Sequence, residues 1–321
     1  MDIKWHSVIS EELCQVRELL SKITKSDSEE LTEVCDYVLS ISGKKIRPSM
    51  CILTYRACGG KDPKAAIDVG TALEMIHNAT LIHDDINDKA DLRRGAKVAY
   101  KRFSVSKSII AGDVMFALGF KLMRKASPMI IDFVVDASLS MGTGEFFQKD
   151  LEHDSNATEE DYMRIIDGKT ARLIECAGKS GAFLAGSDME SLEQMGIFAR
   201  NVGLAFQIID DTLDIVGDQE VTGKTIGSDI MEGKPTLPLI YAMQDVEHGG
   251  RIKEIFESRT HISDMISEAI HLIKRTDAIQ RCLEKSKRIV EDSIHHLDCL
   301  EDSIYKSALI DYARYSATRA R

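Results

Sequence analysis

Proline is scarce in this chain of 321 residues, and what little there is sits apart. Five prolines, Pro48, Pro63, Pro128, Pro235 and Pro238, leave long stretches without a helix breaker. Alternating apolar and polar runs of useful length are also missing, which argues against sheet. No run of about 18 apolar residues occurs, so no membrane-spanning helix is expected. The first ten residues lack the basic flank and apolar centre of a signal peptide. The 7 cysteines never form a Cys-x-x-Cys pair, and the 9 histidines do not cluster with them. That excludes an evident zinc site and predicts free thiols in a reducing cytoplasm. Basic residues are outnumbered, 41 against 52 acids, for a net charge of -11. A general nucleic-acid binder usually shows a basic face, so that class is disfavoured.

What remains is rich in Ala, Leu, Ile, Met, Glu and Lys, all good helix formers. Start signals recur. Ser26 with Glu29, and Ser187 with Glu190, have capping-box spacing. Asp62-Pro63 and Ser127-Pro128 read as N-cap plus first-turn proline. Gly43, Gly59-Gly60 and Gly217 read as stops. The pattern predicts helices near 3–22, 27–42, 46–58, 63–88, 104–125, 129–151, 158–185, 188–216 and 235–246, with shorter ones over 250–319. No repeat, low-complexity tract or shift in composition divides them, so one all-α domain over 1–321 is expected. Helices of about 25 residues reach roughly 37 Å, long enough to wall a deep cavity.

Two of these helices carry an Asp-Asp-x-x-Asp motif near their ends: Asp84, Asp85 and Asp88, then Asp210, Asp211 and Asp214. At about 100° per residue, Met195, Phe198, Val202, Ala205, Ile209, Leu213 and Val216 form the second helix's core stripe. Gln207 and its three aspartates fall together on another face. On the first helix Asp84, Asp88 and His77 share a face, with Asp85 at its edge, opposite Met75, Ala79, Ile82 and Ile86. Three carboxylates on one turn repel one another unless a cation sits among them. A helix C-terminus disfavours acids further. Hard oxygen ligands of this kind suit magnesium, which bridges carboxylates to phosphates.

Cations recur at short intervals around the acids: Lys44, Lys45 and Arg47, then Arg93-Arg94-Gly95, Lys169-Thr170, Gly223-Lys224 and Gly233-Lys234. Glycine beside a cation permits close backbone approach to a phosphate. Taken together, the acids and cations make a receptor for more than one highly charged phosphate group.

The ordered segments GKKIRP, HNATLIHDDINDKADLRRG, AGD, GKTARL, FQIIDDTLDIVGD and TGKTIGSDIMEGKPTLP resemble the trans-isoprenyl diphosphate synthases, also called the polyprenyl synthetase family. The likeness spans about 40–240, with a compatible helical tail over about 250–319. It implies an antiparallel helical bundle around a deep central cavity, usually a homodimer. It implies magnesium-dependent head-to-tail condensation of isopentenyl diphosphate with an allylic diphosphate (dimethylallyl, geranyl, farnesyl or geranylgeranyl). On matching positions, Asp84, Asp88, Asp210 and Asp214 hold the metals, with Asp85 and Asp211 supporting them. Arg93, Lys169, Thr170, Gln207, Lys224 and Lys234 bind the allylic diphosphate, and Lys44, Arg47, His77 and Arg94 the isopentenyl diphosphate. In short-chain members an aromatic near Ala79 or Thr80 stops the prenyl tail. Both are small here, with Ile76 and Met75 deeper, and Met115 or Phe116 on the next long helix. Products of twenty or more carbons are therefore expected, most of all twenty-five to thirty-five. The loop after Gly95 departs from the family pattern, with Ala96-Lys97-Val98-Ala99-Tyr100 in place of a Pro, Thr and His set. Rival readings are a class I terpene cyclase, a metal phosphohydrolase suggested by His83-Asp84, and a non-catalytic subunit of a hetero-oligomeric synthase.

Overall fold

A computed structural model describes residues 4–41, 43–217, 226–258 and 263–318. They are almost wholly helical. The described helices are α1 (Ser10–Ile23), α2 (Glu29–Ser40), α3 (Ile46–Ala57), α4 (Lys64–Asn87), α5 (Ala99–Arg102), α6 (Val105–Met123), α7 (Pro128–Asp150) and α8 (Glu159–Ile166). They continue with α9 (Arg172–Ala185), α10 (Met189–Val216), α11 (Ser228–Met231), α12 (Leu237–Ala242), α13 (Gly249–Glu257), α14 (Ser263–Ile273), α15 (Ala278–Ile294) and α16 (Ile304–Thr318). Between α4 and α5, Leu92–Arg93 and Ala96–Lys97 pair antiparallel as a two-stranded ribbon, β1 and β2.

Local chemistry sets the ends. Ser28, rather than Ser26, caps α2, accepting from Leu31 N at 3.3 Å. Asp188, rather than Ser187, accepts from Ser191 N at 2.8 Å and starts α10. In both cases the carboxyl or hydroxyl one helical turn from a free N–H wins over the capping-box spacing. Thr158 and Asp161 form a full capping box at α8. The run expected to be one helix over 158–185 is interrupted. Asp167–Ala171 forms a π turn, in which the Arg172 N–H bonds to the Asp167 carbonyl. The expected helix at the start is shorter too: a 3-10 turn at Trp5–Ser7 precedes α1.

The chain divides into two compact units. The first comprises Met1–Asp136, Leu173–Ala199 and His296–Tyr312. Its spine is α4, packed on α6, α3 and α1. Met75, Ile76, Ala79 and Met115 are fully buried there. Gly119 lets α4 and α6 approach closely, since a Cβ would lie 3.0 Å from Ile76 and 3.2 Å from the Ala72 carbonyl. The second unit comprises Ala137–Arg172, Arg200–His295 and Ala313–Arg321. Here α12 packs on α15, α14, α13 and α8, closing a core that includes Tyr162, Ile208, Ile215, Leu237 and Phe256. All seven cysteines are free, and burial pushes Cys35 up to about 11. No described helix is long and apolar enough to cross a membrane.

Candidate active site

In the first unit, α4 ends at the acids. Asp84 and Asp88 are half-buried, and the Asp88 N–H closes the last turn onto the Asp84 carbonyl at 2.8 Å. Asp85 is not at the edge of that face but inside, 5% exposed. Arg93 reaches it from the ribbon, with Nη2 at 2.6 Å and Nε at 2.8 Å from Oδ1. The ribbon is built for this reach. Arg94 and Gly95 both have positive φ, 52° and 78°, the signature of a tight hairpin turn. Arg94 then lies over Gly43, where a Cβ would meet its guanidinium at 2.5 Å, and donates to the Ile41 carbonyl at 2.9 Å.

The same unit gathers the cations. Lys45, in the left-handed region at φ 57°, starts α3 and pairs with buried Glu74 at 3.4 Å. Arg47 is 7% exposed, and burial lowers its affinity for the proton. His77 is held well below its usual range by burial first, then by Arg47, Arg93, Arg94 and Lys45. A neutral imidazole ringed by four cations is an environment for an anion. Arg47, His77 and Arg94 are thus brought together with Arg93. Lys44, one residue before Lys45, is exposed. Thr80 turns its hydroxyl to the His77 carbonyl at 2.8 Å, and Ala79 and Ile76 lie in the core below.

In the second unit, a cavity of about 150 Å³ is lined by Asp210, Asp211, Asp214, Asp229, Gln207, Lys169, Thr170, Lys234 and neighbours. The core stripe of α10 drifts toward its end. Ile208, Thr212 and Ile215 are fully buried, while Leu213 and Val216 are only half-buried. Asp211 turns inward with them, 8% exposed, contrary to the shared acidic face expected for it. Tyr162 donates to one of its oxygens at 2.7 Å and the Gln207 amide to the other at 2.8 Å. Burial and Asp211 hold the Tyr162 hydroxyl well above its usual range, so it remains a donor. Gln207 in turn accepts from Thr170 at 2.8 Å. Asp214 accepts from the Ser228 hydroxyl at 2.7 Å and the Asp229 N–H at 3.1 Å. The π turn presents Lys169, which pairs with Glu145 and donates to Gln148 Oε1 at 3.0 Å. Lys234, after Gly233 at φ 69°, pairs with Glu232 at 2.5 Å. Lys224 lies outside the described residues.

The sequence reading did not name Asp229 as a site residue, and it placed Lys45 in a basic turn without giving it a role. Asp229 had a weak signal, an acid between the last two cations of the motif series. Its carboxyl is pushed well above the ordinary range by burial and by Asp214 and Asp211. Negative charge is therefore crowded where a divalent ion would relieve it, and the donors are hard oxygens of the kind magnesium takes. Among the described residues no three acidic, His or Cys side chains close into a ready-made cage.

The polyprenyl synthetase family model matches residues 28–273. The chain belongs to that family. Among its relatives, an all-trans-nonaprenyl-diphosphate synthase of Rhodobacter capsulatus is 36% identical over 288 residues, 89% of this chain and 88% of its own. A short chain isoprenyl diphosphate synthase of Methanothermobacter thermautotrophicus is 35% identical over 310 residues, 95% and 94% of the two chains. A polyprenyl synthase of Caulobacter crescentus, crystallised with calcium and isoprenyl diphosphate, superposes with a TM-score of 0.95 at 29% identity, covering 100% of this chain and 98% of its own. The chain is accordingly an all-α prenyltransferase of the trans-polyprenyl diphosphate synthase type.

Proposed function

We propose that the protein condenses isopentenyl diphosphate with an allylic diphosphate, head to tail, using magnesium, to give an all-trans product of at least twenty carbons, centred on twenty-five to thirty-five. The observation that carries this reading is the cavity where half-buried aspartates and two lysines share one wall. Carboxylates and ammonium groups are brought together in this way to receive a metal-bound polyphosphate.

Asp84, Asp88, Asp210 and Asp214 are the metal ligands, joined by Asp229. Bound magnesium would supply Lewis acidity at the leaving diphosphate. Arg93, Lys169, Thr170, Gln207, Lys224 and Lys234 hold the allylic diphosphate. As its C1–O bond breaks, the electron pair leaves with the diphosphate, and these donors stabilise the charge that develops. Lys44, Arg47, His77 and Arg94 hold isopentenyl diphosphate with its double bond toward the cationic carbon. The new carbon–carbon bond forms from that double bond, and the departing diphosphate accepts the proton then lost. Burial of Met75, Ile76, Ala79 and Met115 is consistent with an apolar path for the tail that excludes water.

The active form is a homodimer in the cytoplasm. Supporting the dimer, Val105, Ile109, Ile110 and Phe120 of α6, with Met129 and Val135 of α7, are exposed at 36–54%. One polyprenyl synthetase domain spans the chain.

The test is incorporation of labelled isopentenyl diphosphate with each allylic primer, read by product mass. Incorporation separates a synthase from a cyclase, from a phosphohydrolase and from an inactive subunit. Products ending at fifteen carbons would refute the length assigned here. Ala79→Phe is expected to shorten the product, and an unchanged length would place the floor elsewhere.

A further inference from the structure

Two buried donors line the cavity of the second unit without partners. Gln148 of α7 and Thr236 before α12 are each 7% exposed, and neither the Gln148 amide nitrogen nor the Thr236 hydroxyl has a hydrogen-bond partner. Thr236 occupies an N-cap position, where a threonine hydroxyl normally accepts from an N–H two or three residues on. Pro238 offers no N–H there, and the hydroxyl makes no cap bond. Gln148 has its carbonyl end committed to Lys169 at 3.0 Å, which fixes the amide nitrogen on the other side. That commitment is held by close backbone contact. A Cβ on Gly168 would lie 2.7 Å from the Ser140 carbonyl, and one on Gly144 would lie 3.0 Å from Lys169 N.

A buried donor without an acceptor destabilises the resting protein, and a ligand that brings an acceptor recovers the loss. The lining also holds Lys169, Lys234 and four aspartates, so the acceptor that suits it is an anion that arrives with a divalent cation. We propose that Gln148 and Thr236 are two further substrate contacts, donating Nε2–H and Oγ–H to diphosphate oxygens. This rests on the diphosphate reading of the same cavity. Being neutral, the pair adds affinity that depends less on ionic strength than the lysines' share.

The test is calorimetric titration of the full chain with inorganic pyrophosphate in magnesium chloride, alongside thermal unfolding without ligand. Thr236→Val and Gln148→Met remove the donors at similar volume. Each is expected to raise the pyrophosphate Kd about tenfold, and the KM for the allylic substrate with it; Tm stays level or rises in Thr236→Val, whereas Gln148→Met also loses the bond from Lys169 and its Tm falls. Thr236→Ser is expected to restore Kd to within about twofold. If Thr236→Val folds poorly, Thr236→Ala gives the same comparison. Unchanged Kd in both variants overturns the assignment. So does a weaker Kd that tracks a fallen Tm and is not rescued by serine. A wild-type chain that binds pyrophosphate in a Thr236-dependent way, yet incorporates no isopentenyl diphosphate, would refute the synthase reading and uphold these two contacts.

Discussion

The two acidic motifs have the same spelling and different upkeep. In the first, the middle carboxylate Asp85 is buried against the guanidinium of Arg93 at 2.6 Å. In the second, the middle carboxylate Asp211 is buried against a tyrosine hydroxyl and a glutamine amide at 2.7 and 2.8 Å. A guanidinium cancels the charge it holds. Neutral donors hold a carboxylate in place without cancelling anything. The second motif thus adds to a local negative field, felt by Asp229, whose proton is bound more tightly for it. The outer aspartates in each motif are left half-buried, while the inner one anchors the helix end. Identical sequence spacing conceals one anchor of each electrostatic kind.

Removing an outer acid gives the largest effect. Asp84→Asn and Asp210→Asn are each expected to lower kcat by about 10²–10³-fold, the cost of losing one stabiliser of developing charge. Steady-state kinetics at saturating magnesium check this, and a much milder loss in one motif would rank the two. Next come the anchors. Arg93→Ala strands a buried carboxylate and is expected to destabilise by about 3–5 kcal/mol. Tyr162→Phe leaves Asp211 with its amide donor and is expected to cost about 1–3 kcal/mol. Urea unfolding of both variants measures the gap, and equal losses would erase the distinction drawn between the anchors.

The smallest effect is on pH dependence and belongs to the first unit. The folded His77 pKa is depressed, so the unfolded chain binds its proton more readily. The stability this confers is complete above the unfolded value of about 6.5. It is lost as pH falls from there toward the folded value, at up to about 1.4 kcal/mol per pH unit. Stability of His77→Gln should therefore fall less steeply than wild type below pH of about 6.5. Parallel curves would remove His77 from the cationic ring.

The helices that carry the acids were legible because their apolar residues recur at helical spacing over many turns, as Met195, Phe198, Val202, Ala205 and Ile209 do. The outer aspartates followed from the same periodicity. The inner ones did not, since adjacent residues differ by about 100° and the choice of which turns inward is made by a distant partner. Tyr162 lies 49 positions from Asp211. Lys45 was seen only as part of a basic turn, because its partner Glu74 lies on another helix and nothing local announces the pair. The family likeness named the cations as a set, but it could not tell that Arg93 would be found on Asp85, or Lys169 on Glu145 and Gln148.

The π turn at Asp167–Ala171 has a consequence for how this chain tolerates change. Five residues there close a loop of backbone that four would close in an ordinary helix. One residue fewer would wind the turn back to regular pitch and roll Lys169 and Thr170 around the axis relative to whatever precedes them. Length, more than identity, is what this stretch has to conserve, and a single-codon deletion there should be harsher than most substitutions.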